Sequence, residues 1–194
     1  MLSQSQILKN SAELRRLSDQ IHTTVRTRSN SQEDRAQWKH ACAEFHQQFD
    51  SLFFPGGAEM FSRVRKNDPD ALEAAIRFLV ADPYHFRSGY LKEYLWRWLR
   101  HCQLSTSARN RLEKAALLYL DRRISREFWI MCKTMAQIGD SEFWAKVSVR
   151  AQAQGTPQAL RALYLLTFGA DIHAGGKLRR SIYSAWLTHK YGEG

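Results

Sequence analysis

Residues 68–80 read DPDALEAAIRFLV. Asp68 followed by Pro69 is a typical helix start, because a carboxylate accepts hydrogen bonds from the first turn and proline tolerates the first helical position. The apolar residues that follow recur at helical spacing. The stretch therefore predicts an amphipathic α-helix that begins at Pro69 and buries one face.

Helix-capping residues recur beyond this stretch in two interleaved series. The first series is Asp68, Ser105, Asp140 and a start near residue 175; the second is Ser88, Ser125 and Thr156. The first series advances by 37, 35 and 35 residues. Helix pairs that repeat every ~35 residues are typical of α-solenoids, in which each pair covers the apolar face of its neighbour.

The apolar segments of these helices carry a family resemblance. They are LEAAIRFL (72–79), EYLWRWL (93–99), LEKAALLYL (112–120), EFWIMCKTM (127–135) and LRALYLLTF (160–168). In spacing and pattern they resemble the helix-pair units of HEAT-like repeats, over about residues 68–190. The resemblance implies an all-α fold, a short right-handed α-solenoid of helix pairs.

The N-terminal part predicts a separate pair of helices. Apolar residues from Leu14 to Val25 recur at helical spacing, and Ser31 begins a second helix with acidic residues in its first turn. Pro55, Gly56 and Gly57 end that helix. We therefore expect an antiparallel helical hairpin at residues 1–57, followed by a basic helical-repeat domain at residues 58–194.

The net charge of +10 resides in the second part of the chain. Residues 1–82 carry 11 basic and 11 acidic side chains, whereas residues 83–194 carry 18 basic and 8 acidic ones. Lysine and arginine near helix ends can serve solubility and the helix dipole alone. An excess confined to one part of the chain also favours a surface that attracts anionic partners.

No catalytic or metal-binding motif accompanies this charge. His40, Cys42, Glu44 and His46 form the densest group of reactive side chains, but residues two apart on a helix point in different directions and cannot share one metal ion. The three cysteines fall on apolar stripes, which favours structural packing. The pattern indicates no cofactor.

The candidate partner-binding residues are arginines at predicted helix turns and tryptophans outside the main apolar stripes. They are Arg87, Trp96, Arg97, Arg100, Arg122, Arg123, Arg126, Trp129 and Arg150. Tryptophan beside arginine is a frequent hot-spot combination at protein interfaces. Trp96 and Trp129 have a second interpretation, because solenoid helices touch neighbours on two sides and can bury a second apolar face.

Three functions remain open. The leading hypothesis is a non-enzymatic protein-binding module of adaptor, chaperone or immunity type, which binds an acidic protein and resides in the cytoplasm without a membrane span. The second is nucleic-acid binding through phosphate contacts, although no recognised motif is present. The third is an enzyme with a groove site that uses Tyr84, His85 and Arg87.

Overall fold

The computed structural model describes residues 2–122, 124–153 and 155–169. These residues form nine α-helices and one short 3-10 turn at Val64–Lys66, with no strand among them, so the predicted all-α fold is confirmed for this part of the chain. The helices are α1 (Gln4–Thr24), α2 (Gln32–Leu52), α3 (Gly57–Arg63), α4 (Pro69–Ala81), α5 (Ser88–Leu99), α6 (Thr106–Tyr119), α7 (Phe128–Ile138), α8 (Ser141–Ala151) and α9 (Pro157–Gly169).

Side-chain caps determine where most of these helices begin. Asp68 accepts from the Ala71 amide at 3.0 Å, and Asp140 accepts from the Phe143 amide at 2.8 Å. The hydroxyls of Ser31, Ser105 and Thr156 cap α2, α6 and α9 in the same way. Each cap satisfies an amide that the helix itself cannot pair.

One predicted start differs from the structure, and another lies outside it. The helix expected from Ser125 begins instead at Phe128, whose amide donates to the Ser125 carbonyl at 3.1 Å. A tight turn therefore precedes α7. The start expected near residue 175 lies outside the described residues.

Contacts between residues divide the chain into two units, residues 1–99 and residues 100–194. The domain boundary at residue 57 stays a prediction. Within the first unit, α3 packs against both α2 and α4, and α4 packs against α1.

The first unit is built around α1, α2 and α4. Leu14, Leu17 and Phe78 are buried where these helices meet. Phe54 lies at the end of α2, within ring contact of both Phe61 and Phe78. α5 packs on α4 and on the 3-10 turn. This arrangement leaves one side of α5 facing solvent.

The second unit contains α6 to α9. In its described part α7 contacts α6 and α9, and α8 packs along α9. Leu112, Met131, Val147 and Leu165 are fully buried among these helices. No helix in the described residues is long and apolar enough to span a lipid bilayer.

Candidate interaction surface

Trp96 lies in the core, which is the second interpretation that the sequence left open for it, so it is not a partner-binding residue. Its side chain is 0% exposed, as are Leu95 and Leu99, and Lys92 is also buried. The buried face of α5 therefore follows residues 92, 95, 96 and 99. The sequence pattern predicted a buried stripe of Leu91, Tyr94, Leu95, Trp98 and Cys102, of which the structure fully buries Leu95.

Lys92 is buried because it has a carboxylate partner. Its Nζ lies 2.7 Å from Oδ1 of Asp82, the residue that ends α4 in a left-handed conformation. A buried ammonium is tolerated when it is paired in this way. One turn after Lys92 on the same side of α5, Trp96 enters the core, whereas Tyr94 faces solvent.

Two arginines of the second unit stabilise the end of a helix. Arg150 donates to the Leu117 carbonyl and lies 3.5 Å from the Asp121 carboxylate. Arg161 donates to the Leu120 carbonyl at 2.7 Å. Carbonyls at a helix C-terminus lack partners within the helix and carry partial negative charge. Arg150, predicted to contact a partner, therefore completes the end of α6.

Arg122, near the same end of α6, is half-buried. Its guanidinium lies 5.1 Å from the ring of Tyr119. Burial lowers the pKa of Arg122, and the nearby Glu127 opposes that shift. Arg122 thus packs against its own unit with much of its side chain.

The remaining predicted residues of the second unit have separate environments. Arg100 donates from Nε to Nε2 of His101 at 2.7 Å. Arg126 is exposed, whereas Trp129 is half-buried with its ring 4.3 Å from that of Tyr164. Arg123 lies outside the described residues.

The two remaining predicted arginines, Arg87 and Arg97, lie on one side of the first unit. Arg97 lies on α5 three residues after Tyr94 and seven after Tyr90, whereas Arg87 lies in the loop directly before α5. Residues so spaced share one helix face. Both tyrosines are well exposed, Tyr90 at 49% and Tyr94 at 44%. The exposed side of α5 therefore presents Tyr90, Tyr94 and Arg97, and Arg87 is exposed in the loop directly before it.

The loop before α5 extends this exposed side with two more aromatic side chains. Tyr84 is 74% exposed and Phe86 is 48% exposed. The Phe86 ring contacts Phe45 of α2 at 5.8 Å between centroids, and the Ser11 hydroxyl of α1 donates to the Tyr84 carbonyl at 2.8 Å. We call the set Tyr84, Phe86, Arg87, Tyr90, Tyr94 and Arg97 the α5 face.

The arginines of the α5 face rest against its rings. The Arg87 guanidinium lies 5.1 Å from the Phe86 ring, and that of Arg97 lies 5.8 Å from the Tyr94 ring. Arg97 also pairs with Glu93 at 2.6 Å. These contacts hold positive charge close to exposed aromatic surface.

Arg87 has an unusual backbone conformation. Its φ is 63°, in the left-handed region that disfavours most residues with a side chain. The other non-glycine residues with positive φ in the described part are Asn67 and Asp82, whose short polar side chains tolerate it. An arginine at this position costs stability that asparagine or glycine would avoid.

His85 is the interior residue of the loop before α5. The residue is buried, its amide donates to Ser88 Oγ at 3.2 Å, and its Nδ1 lies 2.9 Å from the Phe86 carbonyl. Burial lowers its pKa, and the positive charges of Lys92 and Arg15 lower it further. His85 is therefore interior and Tyr84 exterior, so the candidate enzyme residues Tyr84 and His85 lie in different environments.

The sequence prediction missed Tyr90, Tyr94 and Phe86 as surface residues. The helical spacing of Tyr90, Tyr94 and Arg97 was the available signal. The described residues contain no group of three or more side chains arranged to hold a metal ion. No protein-family model, curated protein or solved structure matches the chain.

Proposed function

We propose that this protein is a non-enzymatic interaction module that binds an acidic protein partner through the α5 face. The observation that carries the proposal is the alignment of exposed aromatic rings with arginines on one helix and its preceding loop. Grouped exposed aromatic side chains mark interaction sites, and tyrosine with arginine is enriched at interface hot spots.

The backbone at Arg87 supports the same proposal. A left-handed residue is ordinarily glycine or asparagine, so retaining arginine there sacrifices about 1 kcal/mol of stability. Strained residues concentrate at functional sites. In return for this loss of stability, the arginine side chain places its guanidinium beside Phe86, at the junction of the loop and α5.

Charge supports an acidic partner. The chain carries a net charge of +10, and the α5 face contributes two arginines but no carboxylate of its own, although Glu93 lies beside Arg97. Complementary potentials accelerate association and disfavour basic competitors. The partner would supply carboxylates to Arg87 and Arg97 and apolar groups to the rings between them.

We also propose that the helices follow a HEAT-like, right-handed solenoid pattern of pairs. The supporting observation is that α4, α6 and α8 begin at residues 69, 106 and 141, about one repeat apart. The proposal on function does not depend on it, because the α5 face lies within the first unit alone.

A second candidate is single-stranded nucleic acid. Exposed aromatic rings beside arginines can stack bases and contact phosphates. The exposed tyrosines of the α5 face are compatible with this, so the two candidates need separate tests.

A selection from a displayed library of random peptides tests the proposal without a known partner. We expect peptides rich in Asp and Glu with interspersed apolar residues, and we expect Tyr94→Ala and Arg87→Glu each to weaken their binding about tenfold. Enrichment of basic or uncharged peptides, or affinity unaffected by both variants, would refute the proposal.

The matched control is Arg109→Glu, which makes the same charge change at an exposed arginine of α6. It should leave peptide affinity within about twofold. Single-stranded RNA titrated against the same variants decides between the candidates. Tight RNA binding that Arg87→Glu abolishes, with no selected peptides, would favour the nucleic-acid function.

A further inference from the structure

A second basic site lies at the loop between α1 and α2, within the first unit. An open pocket of about 820 Å³ is lined there by Arg28, Ser29, Ser31, Gln32, Arg35 and Trp38. Its lining contains two guanidiniums, two hydroxyls and one amide, but no carboxylate. The acidic residues of the first turn of α2, Glu33 and Asp34, are not part of the lining.

The two arginines have no acidic partner in the described residues. Neither Arg28 nor Arg35 forms an ion pair there, whereas Arg16, Arg63 and Arg77 of the same unit all do. Arg28 lies instead over the Trp38 ring, with 5.1 Å between its guanidinium carbon and the ring centroid. Two guanidiniums thus share one pocket without neutralisation.

The side chain of Trp38 lines this pocket. The Nε1 atom of Trp38 is shielded from solvent and has no acceptor among the described residues. A buried donor without an acceptor costs free energy. The start of α2 adds a smaller positive potential from its unpaired backbone amides.

We propose that this pocket binds the phosphate group of a phosphomonoester. Two guanidiniums match the two negative charges of such a group at neutral pH, and donors from several directions suit a tetrahedral anion. A carboxylate offers one charge and a planar pair of oxygens, which a single guanidinium already satisfies. The pocket is much larger than a phosphate, so the ester's organic part has room beside the Trp38 ring.

This site is independent of the α5 face. It uses only the loop and the first turns of α2, whereas the α5 face uses α5 and the loop before it. The proposal for the phosphate site and the proposal for the α5 face can therefore each be refuted without affecting the other.

Isothermal titration of the full chain with inorganic phosphate and with a phosphoserine peptide tests the proposal. We expect saturable binding of both at pH 7.5 in low salt, and about tenfold weaker binding in Arg28→Gln and in Arg35→Gln. Binding should weaken at pH 5, because the second ionisation of a phosphomonoester has a pKa of about 6. The unphosphorylated peptide should not bind.

Arg26→Gln is the matched control, since Arg26 is exposed in the same loop but does not line the pocket. It should bind as the unmodified chain does, and circular dichroism should show equal helix content in all three variants. If Arg26→Gln weakened phosphate binding equally, the binding would come from the general positive charge of the loop and not from this pocket. Three other results would also overturn the phosphate site. They are acetate binding as tight as phosphate binding, no phosphate binding up to about 10 mM, and binding only to phosphatidylglycerol vesicles.

Discussion

At the scale of single residues, the most informative difference between sequence and structure is Lys92. Helical periodicity in the sequence predicts a buried stripe of Leu91, Tyr94, Leu95, Trp98 and Cys102, which does not include Lys92. The structure instead buries Lys92 against Asp82. A pairing partner ten residues earlier cannot be read from local periodicity, because it depends on how the chain turns between α4 and α5.

Trp96→Ala should strongly destabilise the protein. The indole is fully buried, so truncation loses its packing and leaves a cavity. We expect a loss of about 3–5 kcal/mol in the free energy of unfolding. Urea denaturation followed by far-ultraviolet circular dichroism measures it. A loss below 1 kcal/mol would contradict the burial of Trp96.

Lys92→Met should also destabilise the protein, because it leaves Asp82 without its ion-pair partner in a partly buried position. We expect a loss of about 3 kcal/mol, and Asp82→Asn added to Lys92→Met should recover part of it. A double-mutant cycle of unfolding free energies gives the coupling between the two side chains. Additive losses would show that the pair does not hold α5 in place.

At the scale of helices, the side chains that cap helix N-termini were predictable from the sequence, whereas the contacts that complete helix C-termini were not. Ser31, Asp68, Ser105, Asp140 and Thr156 act through the third residue after them, so a short stretch of sequence suffices to find them. The end of α6 depends on Arg150 and Arg161, which are 33 and 41 residues from the carbonyls they contact. Local sequence does not reveal such distant partners, so the sequence predicted Arg150 to be a surface cation.

Arg161→Met tests the end of α6. Methionine keeps most of the aliphatic packing but leaves the Leu120 carbonyl without its donor. We expect a loss of about 1–3 kcal/mol in unfolding free energy. Arg109→Met on exposed α6 surface is the comparison and should change stability by less than about 0.5 kcal/mol. Equal effects would show that Arg161 contributes no more than an exposed arginine.

Glu113 gives the start of α8 a pH-dependent stability. Its Oε1 accepts from the Asp140 amide at 3.0 Å, and burial raises its pKa above the ordinary value. The folded state therefore disfavours the ionised carboxylate. The resulting penalty is present above the folded pKa and disappears below the unfolded value of 4.5.

Glu113→Gln keeps an acceptor for Asp140 and removes the charge. We expect its stability relative to the unmodified chain to be greatest at pH 7, to decline as the pH falls through the raised pKa of folded Glu113, and to reach its minimum below pH 4.5. Urea unfolding at pH 7 and at pH 4 measures this difference. A relative stability that increases toward low pH would contradict the direction of the pKa shift.

At the scale of the whole molecule, the sequence pattern predicted the all-α class but not the division into units. The sequence gives only the charge along the chain, and from it the excess positive charge was predicted to form a binding surface at the arginine-rich turns between helices. In the structure, Arg150 contacts helix carbonyls and Arg122 lies over Tyr119, while Arg87 and Arg97 remain with exposed tyrosines. Counting charges cannot separate these roles, because each depends on tertiary neighbours.

The net charge of +10 should make binding of an acidic peptide sensitive to salt. We expect affinity to fall about tenfold between 50 and 300 mM NaCl, chiefly through slower association. Surface plasmon resonance at several salt concentrations separates the two rate constants. Salt-independent association would show that charge does not guide the encounter.

Arg87→Asn provides the most direct test of the α5 face, because it separates binding from folding. Asparagine tolerates the left-handed backbone at this position, so the variant should be as stable as the unmodified chain or up to about 1 kcal/mol more stable. Fluorescence anisotropy with a selected acidic peptide should show about tenfold weaker binding by this equally folded variant. Unchanged affinity in Arg87→Asn would contradict the assignment of the α5 face as the binding site.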